Sequence, residues 1–224
     1  MKMLLCCALV FAWSSAGQAP AEDVKPAIKI VQPEEDLAEL VEVVELIPNI
    51  AIELAYATER NFFKHRFYKS NRCFLRRGVV EKLALVQKDL NDQGLGLKIW
   101  DGYRPRSVQW EFWKVVPDPR YVADPREGSR HNRGAAVDLT LIDLKTGQEL
   151  PMPTGFDDFT PRAAADFALL PAAILRNRSK LREAMVKQGF IPMPSEWWHF
   201  DAEGWEKYPL MDIEIDETRK PAAK

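Results

Sequence analysis

Cysteine is scarce in this 224-residue chain, with three, at positions 6, 7 and 73. Cys6 and Cys7 lie inside an apolar run near the N-terminus. Once that run is cleaved Cys73 stands alone, which excludes an intramolecular disulfide. The same count excludes the closed, Cys-rich pattern of a structural zinc site. Cys73 itself is expected to pack as a small apolar residue. An excess of positive charge is missing too. Lys and Arg number 31 against 33 Asp and Glu, a formal net charge of −2, so nothing suggests a nucleic-acid partner. Internal repeats and interior linkers are absent. Histidine is as rare as cysteine, with three, and two of these fall in the segments that carry the chemistry below.

What is present suits one exported domain. Hydrophobic residues make up 46% of the chain, enough for a normal core. Lys2 gives a positive start, Met3 to Trp13 is an apolar run too short to span a bilayer, and Ala19-Pro20-Ala21 has the form of a signal cleavage site. Ser14-Ser15-Ala16 would also serve. The expected organisation is a signal peptide over 1–21, a flexible leader over 22–36 rich in Pro, Lys and Glu, one domain over 37–212 and a charged, frayed tail over 213–224. The mature chain is then expected to be periplasmic or secreted, with no stable membrane span.

The clearest periodic segment predicts a helix over 78–93. Val79, Leu83, Val86 and Leu90 share one helical face, and Gly94 is placed to end it. Leu95, Leu97 and Ile99 alternate as a strand that leads into Trp100-Asp101-Gly102-Tyr103-Arg104-Pro105. Further helices are expected over 107–115, packing through Val108, Trp110 and Trp113, and over 173–188. Strands are expected over 40–46, around Ile50 to Leu54 and over 135–142, and Phe190-Ile191 leads to the Glu196 segment, whose Trp-His-Phe run favours a strand or its entrance. Residues 117–128 and 151–171 read as loops. Strands and helices mix without a regular βαβ rhythm, so the class is α+β.

His131 and Asp138 stand seven positions apart, joined through Gly134, which lets the backbone turn so that both face one point. His199 follows downstream, three residues after Glu196. Two imidazoles and a carboxylate suit zinc and leave a fourth position for water, which Glu196 would deprotonate. Spacing alone leaves open that Asp138 only caps a turn and that Glu196 is incidental. The flanking Trp197 and Trp198 make a helical H-E-x-x-H arrangement unsuitable. Their expected place is in the core or the pocket wall. His65, in Lys64-His65-Arg66, is expected to be solvated.

Ser129-x-His131-x2-Gly134-x-Ala136-x-Asp138, followed by Glu196-x-Trp198-His199, resembles the signature of the zinc D-Ala-D-Ala peptidase superfamily. More narrowly the chain is similar to the D-alanyl-D-alanine dipeptidases of the vancomycin-resistance type. The likeness runs from Tyr56-Ala57-Thr58 through Trp100 to Pro105 and Phe156-Asp157 to His199. The resemblance implies a single domain with a central, mainly antiparallel sheet packed by helices. It implies one Zn2+ held by His131, Asp138 and His199, Glu196 as general base and Arg104 as stabiliser of the tetrahedral intermediate. Tyr56, Ser129 and Asp157 match positions that meet the substrate's free ammonium. The activity implied is hydrolysis of D-alanyl-D-alanine, a small dipeptide. A D,D-carboxypeptidase acting on peptidoglycan stem peptides, or a non-catalytic zinc-containing binding module, are the alternatives. Asp101 is expected to support Arg104. Pro153 stands where the family usually has Gly, and Asp158 is a rival to Asp157.

Overall fold

A computed structural model of the chain describes residues 36–215. The expected signal peptide, the leader up to residue 35 and the tail from 216 lie outside the described residues. In chain order the elements are strand β1 (Leu40–Glu42), helix α1 (Val43–Leu46), β2 (Ala51–Ile52), β3 (Phe74–Arg76), α2 (Arg77–Asn91), β4 (Leu95–Asp101), α3 (Arg106–Val115), β5 (Ala136–Asp143), α4 (Ala172–Lys187), β6 (Phe190–Pro192) and β7 (His199–Ala202). Single 3₁₀ turns cover Ala55–Ala57, His131–Arg133, Pro161–Ala163 and Trp205–Lys207.

Five strands make the central sheet, in the order β2-β4-β5-β7-β6. Only β2 and β4 run parallel, and the other three pairings are antiparallel, as expected. Leu97 pairs with Leu141 and Ile99 with Leu139, so strict alternation puts these apolar side chains on one face. Helix α2 covers that face. Its Val79, Leu83, Val86 and Leu90, the four residues picked out by periodicity, are all buried. Gly94 ends the segment with φ +72°, a left-handed position that glycine adopts without a Cβ penalty. Helix α4 packs on α2 and β6 and buries Leu181 and Met185. The opposite face of β5 is left to Asp138 and Thr140, the alternating partners of Leu139 and Leu141.

Several local expectations change. The Val-rich segment 40–46 is not one strand: β1 ends at Glu42 and α1 begins at Val43. There the N–H of Val43 bonds to the carbonyl of Cys73 and the chain turns, so tertiary pairing overrides Val's strand preference. Strand β3 pairs antiparallel with β1 but is three residues long, too short to leave a periodic signal. In α3 the buried residues are Gln109 and Phe112, whereas Trp110 is exposed. The start of the expected tail is docked: Ile215 is buried, and the backbone of Ile213 both donates to and accepts from the Tyr103 hydroxyl. Among the described residues, no helix is long and apolar enough to cross a membrane.

The register of α2 gives a direct test. Leu83 is 0% exposed and Leu85 is 51% exposed on the same helix. Leu83→Ala should cost about 2–5 kcal/mol in urea unfolding. Leu85→Ala should cost less than about 0.5 kcal/mol. Equal costs would contradict the assigned face.

Candidate active site

Three adjacent strands bring the chemistry together. Asp138 on β5 lies directly opposite His199 on β7, and Asp101 at the end of β4 lies opposite Asp138 on its other side. Directly opposed residues have Cβ atoms about 4.5–5.5 Å apart on one face, close enough to share a ligand. The register slips between Ile99 and Asp101, a bulge that re-aims the end of β4. His131 comes from the 3₁₀ turn before β5. Gly134 closes that turn with φ +67°, the left-handed turning residue the sequence suggests. All eight residues singled out in the sequence, Tyr56, Arg104, Ser129, His131, Asp138, Asp157, Glu196 and His199, line a single cavity of about 220 Å³.

His131, Asp138 and His199 fit a metal ion. Their donor atoms all lie within 4.8 Å of one another, and all three residues are buried. His131 Nδ1 is 2.7 Å from the carbonyl of Gly102, which can only accept, so Nδ1 carries the proton and the Nε2 lone pair faces the cavity. His199 Nε2 is 2.9 Å from Asp201 Oδ1, which leaves the Nδ1 lone pair facing the same point. These two nitrogens stand 3.2 Å apart. Asp138 places Oδ1 3.0 Å from His199 Nδ1 and Oδ2 3.4 Å from His131 Nε2. Bonds of about 2.0–2.1 Å in a tetrahedron put donors about 3.3 Å apart, close to the separation of the two nitrogens, and the carboxylate has an oxygen within similar reach of each. Two imidazole nitrogens and a carboxylate that converge on one spot suit a positive charge between them. His199 feels the same negative surroundings. Burial opposes its charge, yet Asp138 and Asp201 push its pKa up to about 10. Asp138 is opposed by burial but held well below the usual carboxylate range by the two imidazoles.

Glu196 sits in the loop before β7, with Oε2 3.8 Å from His199 Nδ1. Burial raises its pKa above that of an ordinary glutamate, which makes its carboxylate the stronger base. Across the cavity Arg104 is fixed from several sides. Its Nε and Nη2 donate to Asp101 Oδ2 at 3.0 and 2.6 Å, and Nη1 donates to Gln109 Oε1 at 2.8 Å. Its guanidinium lies 5.2 Å from the ring centre of Tyr56 and 4.7 Å from that of Phe112. Burial opposes its charge, but the Asp101 carboxylate more than restores it. Asp101 therefore supports Arg104, as expected, and is itself held by the Tyr68 hydroxyl at 2.7 Å.

Also on the cavity wall, Tyr56 donates its hydroxyl to both oxygens of Asp157, at 3.0 and 3.1 Å. Burial, with the nearby charge of Asp138, raises the Asp157 pKa to about 7. Asp157 has φ +57°, a left-handed conformation that aspartate tolerates better than most residues. Pro153 is buried and the loop still brings Asp157 to the cavity. Asp158 instead accepts from the N–H of Thr160. Ser129 lines the cavity while its Oγ accepts from the N–H of His131, so it braces the turn as well. Trp197 and Trp198 are buried, Trp198 in the cavity wall and Trp197 donating to Thr154 Oγ1. His65 is exposed and rests edge-on against Phe67.

Sequence reading missed the groups behind these residues. Asp201 was legible in principle, since it lies two positions after His199 and so on the same face of a strand. Gln109 stands five positions after Arg104, which lies before α3, so no helical spacing links the two. The Gly102 carbonyl leaves no side-chain signal at all. The buried Arg104–Asp101 pair can be tested by a double-mutant cycle. Asp101→Ala should cost about 3–5 kcal/mol, because it strands a buried guanidinium. The Asp101→Ala/Arg104→Ala variant should cost less than the sum of its singles in urea unfolding; additive costs would contradict the coupling.

Known proteins bear on this geometry. Residues 36–215 match the family described as D-Ala-D-Ala dipeptidase. The D-alanyl-D-alanine dipeptidase of Escherichia coli (strain K12) is 40% identical over 176 residues, covering 79% of this chain and 91% of its own. That of Streptomyces coelicolor is 35% identical over 179 residues, covering 70% and 87%. Among solved structures, VanYB in complex with D-alanine-D-alanine is 18% identical, covers 62% of this chain and 77% of its own, and superposes with a TM-score of 0.40. The match across all the described residues, joined to a 40% identical relative, shows that the chain belongs to the D-Ala-D-Ala dipeptidase family of peptidases.

Proposed function

We propose that this protein hydrolyses the dipeptide D-alanyl-D-alanine to two molecules of D-alanine, with zinc as its metal. The reading rests above all on one small cavity lined by His131, Asp138 and His199, a half-buried glutamate, a fixed guanidinium and the acid Asp157. Membership of a family whose relatives carry the name D-alanyl-D-alanine dipeptidase supports the substrate. Export fits it as well, since D-Ala-D-Ala belongs to cell-wall chemistry and residues 1–21 read as a signal peptide.

The residues divide the work as follows. His131, Asp138 and His199 would hold the zinc, which would supply Lewis acidity for activating water near neutral pH and polarising the scissile carbonyl. Glu196 takes the proton of the attacking water and passes it to the nitrogen of the departing D-alanine as the C–N bond breaks. Arg104 donates to the carbonyl oxygen as negative charge develops there. Held by Asp101 and Gln109, it needs no rearrangement to do so. Asp157, Tyr56 and Ser129 receive the free ammonium at the other end of the substrate.

The direct experiment supplies zinc-loaded protein with D-Ala-D-Ala and with its N-acetylated form. Cleavage of the free dipeptide alone is expected. Equal cleavage of the blocked peptide would point to a D,D-carboxypeptidase. Glu196→Gln should lower kcat about 10²–10⁴-fold. A chelator should abolish activity, and zinc should restore it. If the wild type releases no D-alanine and Glu196→Ala behaves identically, the chain is a binding module.

The raised Asp157 adds a pH dependence. Ammonium binding needs the ionised carboxylate, which is populated above a pKa of about 7 and lost as pH falls through it. KM for D-Ala-D-Ala should therefore rise between pH 8 and pH 6 in the wild type. The slope should be absent in Asp157→Asn, and a slope that persists there would assign the titration to another group.

A further inference from the structure

Three loops meet beside the catalytic cavity through aromatic rings. Phe159 follows Asp157 by two positions. Its ring centre lies 4.9 Å from that of Tyr121, in the loop 117–128, and 4.8 Å from that of Phe62, in the loop after Tyr56. The rings continue inward. Phe62 stands edge-on to Phe63 at 5.4 Å, and Phe63 stacks on the buried Phe112 at 4.5 Å. Phe62 and Tyr121 are 46% and 39% exposed, so the outer rings pair with each other at the surface and do not turn into the core. Offset and edge-on ring pairs attract specifically, and here they tie together loops far apart in the chain.

The position of this cluster matters. Tyr121 and Phe159 line the 220 Å³ catalytic cavity. Phe62 lines a neighbouring, larger cleft of about 770 Å³. Asp157 borders both spaces. A dipeptide whose ammonium reaches Asp157 ends at that border. A peptide one residue longer on its amino side has to continue past Asp157, where the rings stand and where the larger cleft offers room.

We infer that Phe62, Tyr121 and Phe159 form an aromatic clasp that sets the upper length of peptide admitted, by separating the catalytic cavity from the cleft beyond Asp157. The inference rests on the dipeptidase reading of the site and names the side chains that impose its length limit. Asp157 contributes charge selection, and the clasp contributes steric selection. The clasp also steadies the left-handed backbone at Asp157, because Phe156 on its other side is held by Trp100 and Trp198 at 5.3 and 5.7 Å.

The test compares D-Ala-D-Ala with Gly-D-Ala-D-Ala as substrates, scored as kcat/KM for release of C-terminal D-alanine. In Tyr121→Ala/Phe159→Ala the preference for the dipeptide should fall about tenfold or more, through a gain on the tripeptide. Phe62→Ala removes a ring that is half in solvent and outside the catalytic cavity, so it offers a folded variant with the same direction of change. Tyr121→Phe and Phe159→Tyr keep the rings and should leave the preference where it was. A wild type active on the dipeptide, with a preference unmoved in Phe62→Ala and in the double variant, overturns the clasp alone. Dipeptide activity lost in folded variants with no tripeptide gain also overturns it. A wild type inactive on the dipeptide overturns the dipeptidase reading, and the clasp falls with it.

Discussion

The pairing of β5 with β7 is the constraint on which the site depends. It sets Asp138 directly across from His199, and it is possible only because Asp138 and its strand neighbours alternate between a polar and an apolar face. A slip of one residue in either strand would turn one of the two away into the core. The third donor, His131, is not on the sheet. It arrives through a turn that Gly134 closes with a positive φ, and its ring is oriented by a backbone carbonyl at Gly102. Gly102 in turn has no room for a side chain, since a Cβ there would sit 2.6 Å from Cys73 Sγ. The scarce cysteine thus matters for its packing, and burial pushes its thiol pKa up, away from reactivity.

Charge is then distributed along the cavity with little freedom. The triad end calls for a cation, and the carboxylates around His199 supply the pull. Arg104 is a buried charge that three hydrogen bonds to Asp101 and Gln109 hold in one position, so it faces the cavity without rearrangement. Glu196 and Asp157 are both raised chiefly by burial, with different neighbours: Glu196 lies close to His199, whereas Asp157 is partnered by Tyr56. The two carboxylates share one small cavity, and the charges of Asp138 and Glu196 add to the rise at Asp157.

Much of this was legible in the sequence where a residue type is rare or a period is long. With three histidines in the chain, the two that belong together were few to choose from. The four apolar positions of α2 spelled out a buried face. Where legibility failed, the missing information was tertiary. The turn from β1 into α1 answers to a backbone bond from Cys73, and β3 is too short to show a period. Helix α3 carries two tryptophans yet buries Gln109, because a hydrogen bond to Arg104 outweighs aromatic bulk there. Asp201 escaped notice since its partner is a neighbouring ring edge. The ring cluster of Phe62, Tyr121 and Phe159 joins positions from three separate loops, so no local pattern announces it.

Everything rests on which side chains bind the metal, and X-ray absorption at the zinc edge of the loaded protein measures that most directly. The expected first shell has two imidazole nitrogens and oxygen donors at about 2.0–2.1 Å, with no sulfur. A sulfur contribution at about 2.3 Å, or a third imidazole, would contradict the ligand set of His131, Asp138 and His199.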